Sequence, residues 1–176
     1  IEKVFILQAL GKVVISNYHP YLNNKFPNVY TVDSQFETLS ILNTLSENDI
    51  RNIQLQGIRN IMSNETSFDK MGRILNDLGI VSTYGERTVL VIGNEKSKKQ
   101  FENQTYKNAD FIDHGELTPE LLENYDFVTY FNPNYFYEAF YLEDLINGFQ
   151  YTDSDFVGRN DETYGINSFT FHNEVK

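Results

Sequence analysis

The stretch from Tyr125 to Arg159, YDFVTYFNPNYFYEAFYLEDLINGFQYTDSDFVGR, reads as strand, bend, helix and strand in unbroken succession. Phe127, Val128, Tyr130 and Phe131 make a short strand-like run. Asn132-Pro133-Asn134 must end it, because Pro133 has no N–H to give to a ladder and restricts the residue before it. Leu142, Leu145, Ile146 and Phe149 recur at helical spacing, and Asp153, Ser154 and Asp155 close that helix before a second strand from Phe156 to Gly158. A strand whose C-terminal end runs into a polar bend is where α/β proteins bind ligands. The expected fold class is α/β.

Upstream of this stretch the pattern alternates in the same way. Thr88 to Ile92 is a continuous β-branched and leucine run, as expected for a strand buried on both faces, and Gly93-Asn94 ends it. Ser97 to Gln104 reads as a short helix, Ala109 to Ile112 as a strand and Asp113-His114-Gly115 as a turn. Thr118-Pro119-Glu120 opens a helix with a cap, a proline at the first helical position and an acid at the positive end of the dipole. The tail, Thr163 to His172, carries one aromatic strand pattern.

The first half differs. Glu2 to Leu10 reads as a helix stopped by Gly11, Val13 to Ser16 as a buried strand, Asn17 to Asn28 as a polar loop, and Val29 to Val32 as a second strand. Three helices follow. Phe36, Leu39, Leu42 and Leu45 line the first behind a Ser34 cap; Ser46-Glu47-Asn48-Asp49 opens the second; Thr66-Ser67-Phe68-Asp69 opens the third, which uses Phe68, Met71, Leu75 and Leu78 and stops at Gly79. All three are expected to pack through these apolar faces. The change of pattern at Ser82-Thr83-Tyr84-Gly85-Glu86 places a boundary there, giving domains 1–82 and 87–176.

With 176 residues and 40% hydrophobic content the chain can bury a core. Its 14 basic against 25 acidic residues, net −11, give a nucleic-acid or anionic-membrane surface no electrostatic support. Lys96-Ser97-Lys98-Lys99 reads as a solvated helix start. The absence of cysteine removes disulfides, thiolate metal sites and cysteine nucleophiles. His19, His114 and His172 have no metal-ligand spacing, and no metal or cofactor is expected. No apolar run approaches the roughly 20 residues of a membrane span. The chain begins at Ile1 inside an apolar pattern, which suggests a piece of a larger polypeptide.

No GxSxG, GxxxxGK[ST] or GxGxxG motif is present, and no catalytic residue is assigned. Two resemblances take the reading further. Residues 3 to 80, with VFILQALGKVVISNYHPYLNNKFPNVYTVD followed by helices ending at ILNDLGI, resemble the C-terminal end of a GT-B glycosyltransferase of CgeB-like, teichoic-acid or surface-polysaccharide type. In that family a glutamate that contacts the ribose of the sugar nucleotide stands where this chain has Ile6, which can make no such hydrogen bond. Residues 88 to 159 resemble a degenerate GT-A, family 2-like glycosyltransferase module: Gln104-Thr105-Tyr106-Lys107-Asn108 matches a QTYKN motif, and Tyr141 to Leu145 with Phe149 to Arg159 follow a YLxDL…FKYTDADxVGK pattern.

Where active members of that family hold a divalent cation on aspartates, this chain has Asn132-Pro133-Asn134-Tyr135, and neutral amides are poor partners for a hard cation. The resemblance therefore implies a segment of a bacterial cytoplasmic glycosyltransferase, at the inner face of the membrane through the full-length protein, itself lacking donor chemistry and acting as a structural or acceptor-binding part. Its ligands would be a sugar nucleotide or a glycan acceptor. The substrate-binding candidates are Asn132, Asn134 and Tyr137 in the bend, Asp144 on the following helix, and Asn17 and His19 in the loop after the first strand. The bland readings are core for Tyr135, Phe136, Tyr137, Phe140 and Tyr141, a helix surface or cap for Asp144, turn residues for Asp153 and Asp155, and an ordinary polar loop for Asn17 and His19. The alternatives are a non-enzymatic interaction module on a decayed glycosyltransferase scaffold, or a metal-independent transferase.

Overall fold

The computed structural model describes residues 1–80, 87–161 and 165–172. The expected boundary at Ser82 to Glu86 lies outside the described residues, as does Thr163 in the tail. The chain is α/β and divides into two compact units, Ile1–Ile80 and Val81–Lys176.

In the first unit the helix α1 (Glu2–Ala9) leads through Gly11, at φ 62°, into β1 (Ile15–Asn17). Then come α2 (Pro20–Lys25), β2 (Tyr30–Val32), α3 (Gln35–Thr44), α4 (Glu47–Met62) and α5 (Ser67–Asp77). β1 and β2 are parallel, with Ile15 opposite Tyr30 and Asn17 opposite Val32. The first strand thus begins two residues later than its apolar run, although the Val14 carbonyl already accepts a hydrogen bond from the Tyr30 N–H at 3.1 Å.

The expected polar loop contains α2. His19 caps it, Pro20 supplies the preset first φ, and Leu22 and Phe26, four residues apart, are buried on its inner side. Val4, Val14, Leu22, Phe26, Val29 and Ile61 form the core of this unit. Gln8, fully buried, accepts at Oε1 from Asn28 Nδ2 (2.8 Å), whose own Oδ1 accepts from Asn60 (3.1 Å). A Cβ on Gly57 of α4 would lie 2.9 Å from Gln8 Oε1, so the glycine makes room for this amide. Glu65, with a side chain 7% exposed, sits between Lys25, Lys70 and Arg73 and hydrogen-bonds to Lys25.

The helix caps follow their sequence signals. Ser46 and Asp49 form a reciprocal capping box on α4, and Thr66 and Asp69 form one on α5. Gly79, at φ 75°, ends α5, and the Ile80 N–H returns to the Leu75 carbonyl at 2.9 Å. The packing expectation for α3 and α5 does not hold. Neither helix has a buried residue, and Phe36, Leu39, Leu42, Phe68, Met71 and Leu78 are all exposed. Periodicity fixes which side chains share a face, but the strands of this unit are only three residues long and offer that face little area to cover.

The second unit is built on β3 (Val89–Gly93), α6 (Glu95–Glu102), β4 (Ala109–Asp113), a 3-10 turn (His114–Glu116), α7 (Pro119–Leu122), β5 (Phe127–Tyr130), α8 (Tyr141–Gln150), β6 (Phe156–Asp161) and β7 (Gly165–His172). The sheet order is β4-β3-β5-β7-β6. β3 is parallel to both β4 and β5, and β7 is antiparallel to β5 and β6. All five residues of β3 are buried, as its continuous apolar run requires of a central strand. α6 begins two residues earlier than expected, because Asn94 accepts from the N–H groups of Lys96 and Ser97 and so starts the helix at once.

Strand alternation sends Val89, Val91, Phe127 and Phe131 to one face, where Leu142, Leu145 and Ile146 of α8 complete the core. The entry to the sheet is clasped at Thr88 and Asp126. The Asp126 carboxylate accepts from the Thr88 N–H (2.8 Å) and hydroxyl (3.0 Å), and the Asp126 N–H donates to Thr88 Oγ1 (3.0 Å). Beside it, Tyr125 donates to Asp110 at 2.7 Å; burial, that bond and the Asp110 charge push its hydroxyl pKa up to about 12. No described helix is long and apolar enough to cross a membrane.

Candidate functional site

The two central parallel strands end side by side, with the Phe131 N–H donating to the Ile92 carbonyl at 2.8 Å. Each then runs into a polar segment: Gly93-Asn94 from β3, and Asn132-Pro133-Asn134 from β5. This is the end of an α/β sheet at which ligands are met. Gly93 lets α6 approach closely, since a Cβ there would lie 2.4 Å from Ser97 Oγ and 2.7 Å from the Phe111 ring.

The bend is held by its own polar groups. Asn132 Oδ1 accepts from the Asn134 N–H at 3.0 Å, the Asn132 carbonyl accepts from the Tyr135 N–H at 3.1 Å, and the Asn132 N–H donates to the Tyr137 hydroxyl at 2.8 Å. This is an Asx turn, in which the asparagine side chain replaces a backbone acceptor. Asn134 is exposed.

Tyr137 is not placed as a surface contact. It is 4% exposed, its ring stacks flat on Phe131 at 4.1 Å, and it meets Tyr141 edge-on at 4.9 Å. Burial raises its hydroxyl pKa, opposed by the Asn132 N–H bond. The candidate contact is therefore a core residue that holds the bend from below. The aromatic cluster divides: Tyr137 and Tyr141 are buried, whereas Tyr135, Phe136 and Phe140 are exposed.

What fastens the rest of this loop is a pair of glutamine side chains on α6 and just beyond its end. Gln100 donates to the Tyr135 carbonyl (3.0 Å) and accepts from the Tyr137 N–H (2.8 Å). Gln104, 1% exposed, donates to the Glu138 carbonyl (2.9 Å) and accepts from the Leu142 N–H (3.0 Å). A primary amide carries donor and acceptor side by side, so each glutamine replaces a strand neighbour for the loop. Their i, i+4 spacing is a signal the sequence carries, yet it has no meaning until the loop is known to lie along that helix.

The other residues of the QTYKN motif are similarly engaged. The Thr105 N–H donates to the Ala139 carbonyl (2.8 Å), Thr105 Oγ1 to Glu143 Oε2 (2.5 Å), the Tyr106 hydroxyl to the Arg87 carbonyl (2.6 Å), Lys107 Nζ to the Gln104 carbonyl (2.7 Å), and Asn108 Nδ2 to the Arg87 carbonyl (2.8 Å). Every member of the motif thus ties chain to chain.

Asp144 lies in the first turn of α8, with its N–H donating to the Phe140 carbonyl at 2.9 Å. Burial, and secondarily the Asp144 charge, raise the Tyr151 hydroxyl. Asn17 and His19 belong to the first unit, where Asn17 is the exposed last residue of β1 and His19 Nδ1 accepts from the Tyr21 N–H at 3.2 Å. Asn132, Asn134 and Tyr137 share one bend, whereas Asn17 and His19 belong to the other unit. Among the described residues no group of three or more His, Asp or Glu side chains is gathered that could hold a metal ion. No protein-family model, curated protein or solved structure matches the chain.

Proposed function

We propose that this chain is a segment of a bacterial glycosyltransferase of surface-polysaccharide or teichoic-acid synthesis, working on the cytoplasmic side, whose second unit is a structural or acceptor-binding part without donor chemistry of its own. One observation carries the reading. The two stretches on which the resemblance rests are bonded to each other, Gln104 to Leu142 and Thr105 to Glu143, and together they set the loop that follows the central strand. Motifs far apart in the chain that converge on one loop are what a shared scaffold requires. The bend at Asn132 to Asn134 presents amides to that loop and no carboxylate, which supports acceptor contact over metal-assisted transfer.

Calorimetry of the chain with UDP-sugars and Mn²⁺ tests this reading. No binding in the micromolar range is expected, and metal-dependent micromolar binding would overturn the loss of donor chemistry. A Rossmann-like half with a glycine-rich loop encoded upstream of Ile1 would support the transferase, and its absence would sink that reading.

A second reading, an interaction module without sugar chemistry, draws on the exposed apolar faces of α3 and α5 in the first unit. Absence of any glycan binding together with capture of a defined protein partner through α3 and α5 would favour it.

A further inference from the structure

α3 is apolar on two sides, and its unit covers only one of them. Thr38, Ile41 and Leu45 are half-buried, on the side from which the helix packs against β2. Phe36, Leu39 and Leu42 run along the other side at three-residue steps, over roughly 9 Å of helix, and are 82%, 51% and 59% exposed. Apolar residues on both sides mark a helix that belongs between two layers, whereas a helix at the edge of a unit is polar on its outer side. The outer stripe is therefore a contact surface, joined by the helix itself into one continuous patch.

Charge selects what covers it. From Phe26 to Ile50 the chain has no Lys or Arg, and its charged residues are Asp33, Glu37, Glu47 and Asp49, all exposed. Asp33 and Glu37 stand at the start of α3, and Glu47 and Asp49 in the first turn of α4 just past its end, so the stripe is acidic at both ends. Glu37 and Asp49 accept from the N–H groups of Asp33 and Ser46 and remain negative while doing so. β2 carries no charge, Arg51 is one cation against four acids, and Lys25, Lys70 and Arg73 are gathered on Glu65. A second copy docked by the same face would set these acids against one another, and an anionic lipid surface would meet the same repulsion. A helix with its own apolar stripe and a rim of Lys or Arg meets neither barrier.

We propose that the outer side of α3 is a docking surface for a cationic amphipathic helix of a partner protein. Phe36, Leu39 and Leu42 supply the apolar contact, and Asp33, Glu37, Glu47 and Asp49 face the partner's cations. The inference is independent of the acceptor reading, which concerns the second unit. It rests on the interaction reading and gives that partner its chemistry.

The full chain is titrated with a helical peptide of roughly 20 residues, leucine at i, i+3 and i+7 and lysine elsewhere, and with a twin carrying glutamate for lysine. Calorimetry reads affinity, and amide shifts at Phe36, Leu39 and Leu42 read the place. The lysine peptide is expected to bind at this face and the glutamate peptide not to bind. Phe36→Ser with Leu42→Gln should weaken binding at least about tenfold with an unchanged melting curve. Asp33→Asn with Glu47→Gln, which leaves the apolar stripe intact, should weaken it about threefold, as should salt of about 0.5 M. Lysine-peptide binding that survives F36S/L42Q is attraction to the acidic chain at large and overturns the proposal. So do equal binding of both peptides, self-association abolished by F36S/L42Q, or a preference for phosphatidylglycerol vesicles. Failure of the lysine peptide to bind removes the docking surface on α3 but leaves the acceptor reading, and any protein contact through α5, standing.

Discussion

The buried amide of Gln104 accepts the Leu142 N–H at 3.0 Å while donating to the Glu138 carbonyl at 2.9 Å, so one side chain fixes both the end of the β5–α8 loop and the start of α8. α8 has no side-chain cap of its own, which makes this contact its anchor. Gln104→Ala leaves three backbone groups without this partner, the Leu142 N–H, the Glu138 carbonyl and, more weakly bonded at 3.3 Å, the Gln100 carbonyl. Each costs on the order of 1–3 kcal/mol where water cannot replace the bond. A loss of roughly 2–4 kcal/mol in urea unfolding followed by near-ultraviolet dichroism is expected; a change under about 0.5 kcal/mol would show that the loop does not depend on it.

Tyr137→Phe separates the core role of the ring from that of its hydroxyl. The stack on Phe131 is kept, and only the bond from the Asn132 N–H is lost. The expected cost is about 0.5–1.5 kcal/mol, with faster amide exchange at Asn132. Phe131→Ala, which empties a fully buried site under the same bend, should cost about 3–5 kcal/mol. Equal effects of the two substitutions would argue against this division.

Gly72 and Gly93 should respond to alanine with opposite signs. Nothing lies within 4 Å of a Cβ on Gly72 in α5, so Gly72→Ala is expected to stabilise the first unit by about 0.5–1 kcal/mol. At Gly93 the added methyl would meet Ser97 Oγ at 2.4 Å and Phe111 at 2.7 Å, and a loss of about 1–3 kcal/mol is expected. Thermal unfolding of both variants decides the matter.

Glu65 makes the first unit sensitive to acid. Burial acts to raise its carboxyl pKa, but the hydrogen bond and charge of Lys25, with Arg73 and Lys70, hold it below the ordinary value. A depressed folded pKa contributes stability that is fully present above the unfolded value, about 4.3, and is lost as pH falls through the folded value. Glu65→Gln should lower stability at pH 7 and flatten the dependence below about pH 4.5. An unaltered slope in that range would assign the acid sensitivity to other groups.

Phe36→Ser and Leu42→Gln, on the exposed face of α3, should change stability by less than about 0.5 kcal/mol. A larger loss in sedimentation-matched samples would mean that this face is covered in solution.

Local chemistry was legible in the chain. Caps at Ser34, Ser46, Thr66 and Thr118, stops at Gly11 and Gly79, the buried run Val89 to Ile92 and the Asn132-Pro133-Asn134 bend depend on neighbours a few residues away, and each stands where its residues imply. The α/β class follows from their order. Short-range signals also failed where two were superposed: the Asn17 to Asn28 polar stretch conceals α2, because His19 and Pro20 resemble loop residues as readily as a helix start.

Tertiary structure alone decided which aromatic rings are core and which meet solvent. Tyr135, Phe136 and Tyr137 are neighbours of similar chemistry, yet Gln100 pairs with the backbone around Phe136, and Tyr137 enters the stack on Phe131. Likewise, helical spacing groups Phe36, Leu39 and Leu42 on one face, but whether an element exists to cover that face is a property of the assembled unit. Burial is a relation between distant segments, and no local pattern encodes it.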